Sequence, residues 1–451
     1  MRSDLGRLTT VVAATAMVAV LAAVQAIAAP STAGDDPGFA ASGLTSVAPV
    51  TGRGFYIRPS LRTVYDSNTL RIGDGLVPAN GGQRSDLRIS PLVSMSFGLP
   101  VGRQQLFVAG DLGRDIFLNN KQLDRARYSI GGGINLRAAS RCTATVAADF
   151  NSRQVLVSVI DELVPNLQET LSYGGTASCQ SPVGFGFGGT VRRIEVRNDT
   201  LIRQQLDFTG LLYTAQLSYA IGNIGSFSAS GSLNKVGYPN RPIILLGGGI
   251  DADGVDILSG RIGYLRPLGS RLALTLGVSY LSARSQPETI LQLAQALPPA
   301  LPGLAVVPLD RTPFSGVGYD ASITYRPSRR MTATLQAARD VRTSAFIGAQ
   351  FQVQTSFGAD IDYRLGSSIT AGAGITFDRF RYFDGIVIGA VGRRDLDEIS
   401  RVYGSLVFAP VKLYTLSAEV SYQKRNSLPL AFSFDNVSAV LSLRVNFGKV
   451  S

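Results

Sequence analysis

In Leu87-Arg88-Ile89-Ser90-Pro91-Leu92-Val93-Ser94-Met95-Ser96-Phe97 the odd positions are apolar apart from Pro91, and the even ones are mostly polar. The same period of two runs through Phe351, Val353, Thr355, Phe357, Ala359, Ile361 and Tyr363, and through Leu272, Leu274, Leu276, Val278 and Tyr280. It recurs in Ala439, Leu441, Leu443, Val445 and Phe447, which alternate with Ser438, Ser442, Arg444 and Asn446. A helix repeats its faces every three or four residues, so this spacing excludes an amphipathic helix. A strand turns side chains alternately to opposite sides, and here one side is apolar and the other wet. Runs of about ten such residues suit a tilted strand crossing a bilayer.

Short turns rich in Pro, Gly, Ser and Arg fall at 100–103, 138–141, 181–184, 221–226, 266–270, 326–329, 364–368 and 409–412. Longer connections lie between them, at 66–83, 117–125, 151–168, 195–204, 234–254, 284–316, 340–348, 382–396 and 424–435. Eight short turns alternating with nine long loops make eighteen strands, with both ends of the chain on the short-turn side. This is the rhythm of an antiparallel transmembrane β-barrel with short periplasmic turns and long extracellular loops. A repeat of about forty residues also suits a soluble propeller, but a propeller packs four short strands into each unit, whereas two long ones fill it here. Lipid offers the backbone no hydrogen bonds, so the sheet must close on itself. With about sixteen to eighteen strands the interior is wide enough for water.

Composition narrows the chemistry. The chain has no His and only two Cys, so imidazole-based hydrolysis, His-ligated zinc and a thiolate metal cage are excluded. No cofactor or metal motif appears, and Gly131-Gly132-Gly133 and Gly247-Gly248-Gly249 lack the helix and Lys of a phosphate-binding loop. An enzyme is not expected. The net charge of +11 is spread as Arg over strands and turns without a concentrated patch, which argues against nucleic acid. Basic rims would suit lipopolysaccharide phosphates. At the N-terminus, Arg2 and Arg7 precede an apolar run ending Ala26-Ile27-Ala28, the form of a secretory signal peptide over 1–28. Residues 29–53 read as a flexible periplasmic lead-in and 54–448 as the barrel. The expected place is the outer membrane of a Gram-negative cell. Phe97, Phe185, Phe187, Tyr219, Tyr264, Tyr325, Tyr363 and Phe408 lie near short turns, where an aromatic girdle belongs.

Pro59-Ser60-Leu61, Tyr65-Asp66-Ser67-Asn68 and then Asp86 with Ser90-Pro91-Leu92 resemble the opening hairpin of the putative β-barrel porin 2 family, over about 54–115. The resemblance implies an outer-membrane barrel, in some members associated with exopolysaccharide or capsule loci. The closing strand, with Leu441, Leu443, Val445 and Phe447, is similar to the C-terminal signal read by the barrel assembly machinery, although Gly448-Lys449-Val450-Ser451 follow the aromatic residue. Tyr65, Asp66 and Asn68 also mark the entry of a strand into a loop, where Asp and Asn side chains cap turns.

Cys142 and Cys179 lie almost equally far from the centre of the loop 151–168 and on the same face, so a disulfide is geometrically reachable. The inward-facing charges expected are Arg88, Arg192, Arg339 and Arg444, opposed by Asp111, Asp149 and Asp207. They serve either as anion-attracting pore charges or as salt-bridged wall ladders. The longest loop, 283–316, contains a short helical pattern at Glu288–Leu297 followed by Pro298, Pro299, Pro302 and Pro308. It either enters the pore or stands outward. Two functions follow: a porin-like passive channel for hydrophilic solutes, or an accessory barrel in exopolysaccharide or capsule secretion whose loops engage polymer or secretion partners.

Overall fold

The computed structural model describes residues 54–450 except 74–81, 155–156, 160–161, 165, 223, 246–247, 295–304, 345–348, 384–394 and 429–431. The leader assigned to 1–28 and the segment 29–53 lie outside the described residues.

Eighteen antiparallel strands form one closed barrel. In order they are β1 (Gly54–Asp66), β2 (Asp86–Val101), β3 (Gln104–Phe117), β4 (Arg125–Ala139), β5 (Cys142–Gln154) and β6 (Leu167–Gln180). Then come β7 (Phe185–Asn198), β8 (Phe208–Ile221), β9 (Gly225–Ile244), β10 (Ile250–Leu268), β11 (Leu272–Gln286) and β12 (Phe314–Tyr325). The circuit ends with β13 (Met331–Thr343), β14 (Phe351–Arg364), β15 (Ile369–Phe383), β16 (Leu396–Val411), β17 (Tyr414–Leu428) and β18 (Phe434–Val445). After Asn446, Phe447–Val450 continues β18.

β1 closes the ring. It pairs with β2 along its whole length and with β18 from Asp66↔Ser438 to Ser60↔Arg444. The same register resumes from Ile57↔Phe447 to Gly54↔Val450. The residues after Phe447 therefore lengthen the closing strand rather than trail from it. No helix is long and apolar enough to cross a membrane among the described residues; the strands do the crossing. The outward positions are exposed and apolar, including Met95, Phe97, Val108, Ile130, Val146, Tyr219, Val278, Tyr325, Ile361 and Leu441. All eight short turns fall where the turn chemistry places them. At one of the two-residue turns, Val101 to Gln104, Gly102 has φ +62°, the left-handed value that such a hairpin accepts from Gly without strain.

Two readings of loops are corrected. The connection expected at 234–254 is mostly strand, because β9 and β10 run on to Ile244 and from Ile250. Pro239 and Pro242 look like turn residues, but a register shift between Tyr238 and Pro242 absorbs them as a bulge. The helical pattern at Glu288–Leu297 is not a helix: Thr289–Ala294 pairs with Ala305–Asp310 as a hairpin, from Thr289↔Asp310 to Ala294↔Ala305. A short apolar run is ambiguous by period, and so short a helix is marginal alone. The hairpin joins the outer end of β9 at Ile244↔Leu291, so the base of this long loop extends the wall upward. Its tip lies outside the described residues.

Candidate functional site: the lumen and its outer mouth

Alternation places a defined set of side chains on the inner wall. Arg88 on β2 stands over the Phe117 ring at 5.7 Å. Arg192 on β7 donates from Nε to Ser172 Oγ at 2.7 Å, and Ser172 is the cross-strand partner of Asp149. Asp111 accepts from Ser129 Oγ at 3.0 Å. Arg444 faces inward near the short-turn end, in register with Ser60 and Thr415.

Two expected lumen charges are misplaced by alternation alone. Arg339 falls on the other parity, in line with Leu335 and Ala337 and paired with Tyr319 and Thr355. Asp207 is on the loop before β8, where it accepts from the Asn198 backbone N–H at 2.7 Å, Asn198 Nδ2 at 2.8 Å and Asn240 Nδ2 at 2.8 Å. Burial raises its carboxyl above the usual range, against those hydrogen bonds.

The family-motif residues tie the first loop to the closing strand. Asp66 holds Arg71 at 3.1 Å. Buried Asn68 donates its backbone N–H to Asn436 Oδ1 at 2.9 Å and its side-chain amide to the Ile72 carbonyl at 2.9 Å. Tyr65 faces outward and is exposed. Cys142 and Cys179 are direct cross-strand partners at the short-turn ends of β5 and β6, with sulfurs bonded at 2.10 Å.

The inner charges without an ion-pair partner among the described residues fall mainly in two arcs, with inward Asp111 on β3 and Asp149 on β5 lying beside the basic one. On β4, β5 and β18, the inward Arg127, Arg137, Arg153 and Arg444 have no side-chain partner among the described residues. On β14, inward Asp360 and Asp362 have no cationic partner among the described residues; Asp360 instead accepts from the Tyr403 hydroxyl. Between the arcs charges are cancelled in place. Arg261 on β10 reaches across β11 to Asp320 on β12 at 2.5 Å, passing over Gly277, where a Cβ would strike both side chains.

The outer mouth departs from simple alternation. The β12–β13 ladder stops at Tyr319↔Arg339, although β12 remains paired to β11 up to Phe314 and β13 to β14 up to Thr343. Above this split, the ends of β13, β14 and β15 slip inside the wall. Val341, Phe351 and Val353 share parity with the lipid-facing Leu335, Phe357 and Ile361, yet they are 5, 0 and 4% exposed against 56, 48 and 49%. They pack on inward residues of the opposite layer: Val236 and Tyr238 of β9, Val255 and Ile257 of β10, Leu281 and Ala283 of β11. Gly318 on β12 permits the overlap, because a Cβ there would lie 2.7 Å from the Arg339 carbonyl oxygen and 2.6 Å from Leu281 Cδ1. The result is a double-layered lobe with an apolar filling inside the mouth.

A buried carboxylate latches the lobe. Asp253 takes Arg311 Nη1 at 2.7 Å, Arg241 Nη1 at 3.4 Å and the side-chain amide of Gln350, just ahead of β14. Sequence reading missed all four residues. Asp253-Gly254 looks like a turn dipeptide, and the bulge that swings Arg241 inward follows from pairing, not from local pattern.

A closed barrel with this apolar exterior is an outer-membrane protein that crosses the membrane many times. Residues 312–447 match the family model described as putative beta-barrel porin 2. The match runs from just before β12 to Phe447, at the other end of the chain from the hairpin that carries the resemblance. The porin-like barrel also aligns with solved structures. Pseudomonas aeruginosa OccK2 (OpdF) gives a TM-score of 0.46 at 11% identity, over 87% of this chain and 98% of that one. OpdK from Pseudomonas aeruginosa gives 0.45 at 10% identity, over 87% and 99%. Pseudomonas aeruginosa OccK9 (OpdG) gives 0.44 at 12% identity, over 87% and 98%. No curated protein matches the chain.

Proposed function

We propose that the porin-like barrel is a passive channel for small hydrophilic solutes, with the infolded lobe as its constriction. The observation that carries this reading is the separation of charge on the inner wall. Arg127, Arg137, Arg153 and Arg444, which have no side-chain partner among the described residues, line one arc, and Asp360 and Asp362, without a cationic partner among those residues, lie on β14. A wall that merely stabilised a sealed barrel would neutralise such groups locally, as Arg261 and Asp320 do. Fixed charges left uncancelled along a wet lumen instead set a potential that solutes sense in passing.

Planar-bilayer recording tests this. The purified barrel should conduct. Replacing Arg127, Arg153 and Arg444 together by Gln should move the reversal potential in a salt gradient toward cation preference. A folded barrel that passes no current would overturn the channel reading. An unchanged reversal potential would remove the basic arc from it.

A further inference from the structure

We propose that the short-turn end of the barrel carries a docking crescent for anionic phospholipid headgroups of the inner leaflet. None of the eight short turns contains an Asp or a Glu. Three consecutive turns concentrate arginine. Arg266 and Arg271 flank the one between β10 and β11, Arg326, Arg329 and Arg330 lie in the one between β12 and β13, and Arg364 ends β14 at the next. These turns are stitched side by side: the Arg326 backbone N–H donates to the Arg271 carbonyl at 2.6 Å, and that of Arg364 to the Arg330 carbonyl at 2.7 Å. The six side chains therefore start from one continuous arc of backbone.

Nothing on the protein cancels their charge. None of the six makes an ion pair or a side-chain hydrogen bond among the described residues. Arg266 is partly buried, and the other five are exposed. The acid nearest to any of them along the chain, Asp362, faces the lumen two residues before Arg364. The turns between β6 and β7 and between β8 and β9 carry no charged residue, so the basic patch is one-sided. Like charges crowded on one arc repel, and an anionic layer laid against them removes that cost.

Depth selects the occupant. Tyr325 and Tyr363 are exposed on the lipid-facing side, at the level where aromatic rings mark the headgroups. Each immediately precedes an arginine of the crescent, and outward Tyr264 stands two residues before Arg266. Every guanidinium thus starts within a turn's length of the girdle, and its flexible stem carries it into the phosphate layer. There its planar fork matches two phosphate oxygens at once. A zwitterionic headgroup would bring its own ammonium to an arc already holding six cations, whereas a net-anionic one brings none. An acidic protein would first have to displace the headgroups that lie at this depth. The crescent does not depend on whether the lumen conducts.

Titration of the folded barrel in detergent micelles with short-chain phosphatidylglycerol, short-chain phosphatidylcholine and soluble polyglutamate tests the proposal. Phosphatidylglycerol should bind about tenfold more tightly than phosphatidylcholine, and the difference should shrink as salt rises. Replacing Arg271, Arg329 and Arg330 together by Gln changes only exposed turn residues, so the variant should keep the heat-modifiable mobility of a folded barrel. Its affinity for phosphatidylglycerol should fall about tenfold, with that for phosphatidylcholine unchanged. Arg103→Gln with Arg141→Gln, on exposed turn positions outside the crescent, should lower it by no more than about twofold. Equal affinity of the parent for the two lipids, or undiminished phosphatidylglycerol binding by the folded triple variant, would overturn the assignment. So would an equal loss in the Arg103 and Arg141 variant, or polyglutamate bound in preference to phosphatidylglycerol.

Discussion

Replacing Phe351 by Asp is expected to release the lobe while leaving the barrel closed. Phe351 is fully buried, stacked on Phe383 at 5.1 Å between centroids, with Val341 and Val353 beside it against β9–β11. Burying a side chain of this size contributes about 1.5–3 kcal/mol, so the three together hold the lobe by about 5–9 kcal/mol. Without the ring the two valines retain about 3–6 kcal/mol. An aspartate in the same place would have to bury an unpaired carboxylate, which costs several kcal/mol. These contributions cancel or turn against docking, and the lobe is then held mainly by the polar contacts of Gln350 one residue away, to Asp253 and from the Tyr238 hydroxyl. Nearer the short-turn side, the β13–β14 ladder from Met331↔Tyr363 to Arg339↔Thr355 is untouched, so the ring stays closed. The variant should therefore run as a folded, heat-modifiable barrel with a larger single-channel conductance than the parent. Phe351→Leu, which keeps the apolar contact, should conduct like the parent. Equal conductance in a folded Phe351→Asp barrel would refute the lobe as the constriction.

Asp253→Asn removes the one carboxylate between Arg241 and Arg311, all three side chains being nearly or fully buried. It should lower resistance to denaturant by about 3–5 kcal/mol, the usual cost of stranding a buried charge; a midpoint unchanged at constant slope would show that the latch carries no load. Replacing Cys142 and Cys179 by Ser opens a covalent loop spanning 37 residues. Loop-closure entropy sets about 4 kcal/mol as the upper bound of the loss, read as a lower unfolding temperature, with non-reducing electrophoresis checking that the parent is oxidised. Ending the chain at Asn446 removes the pairs Ile57↔Phe447 to Gly54↔Val450 from the seam. Less barrel should then reach the outer membrane in fractionation, and undiminished assembly would count against Phe447 as part of the assembly signal.

Much of this architecture was legible along the chain. Period-two alternation, with turn residues at regular intervals, sets strand number, side and closure, because in lipid a backbone left unpaired anywhere is prohibitively costly. The opposition of Cys142 and Cys179 follows from counting residues either way from one loop, since antiparallel register is symmetric about the turn. Alternation also puts Arg88, Asp111, Asp149, Arg192 and Arg444 on the wet side.

What the chain could not disclose is where the wall stops being a single layer. Val341, Phe351 and Val353 read as lipid-facing residues like Phe357 and Ile361, and in the lower barrel that rule holds. Their burial depends on the β12–β13 ladder ending at Tyr319↔Arg339 and on Gly318 letting a backbone pass over it. Arg241, Arg311 and Asp253 come from separate strands and loops, brought together by a bulge and by strand pairing. Local pattern fixes which way each side chain points from its own strand; only the packing of distant strands decides what lies in front of it.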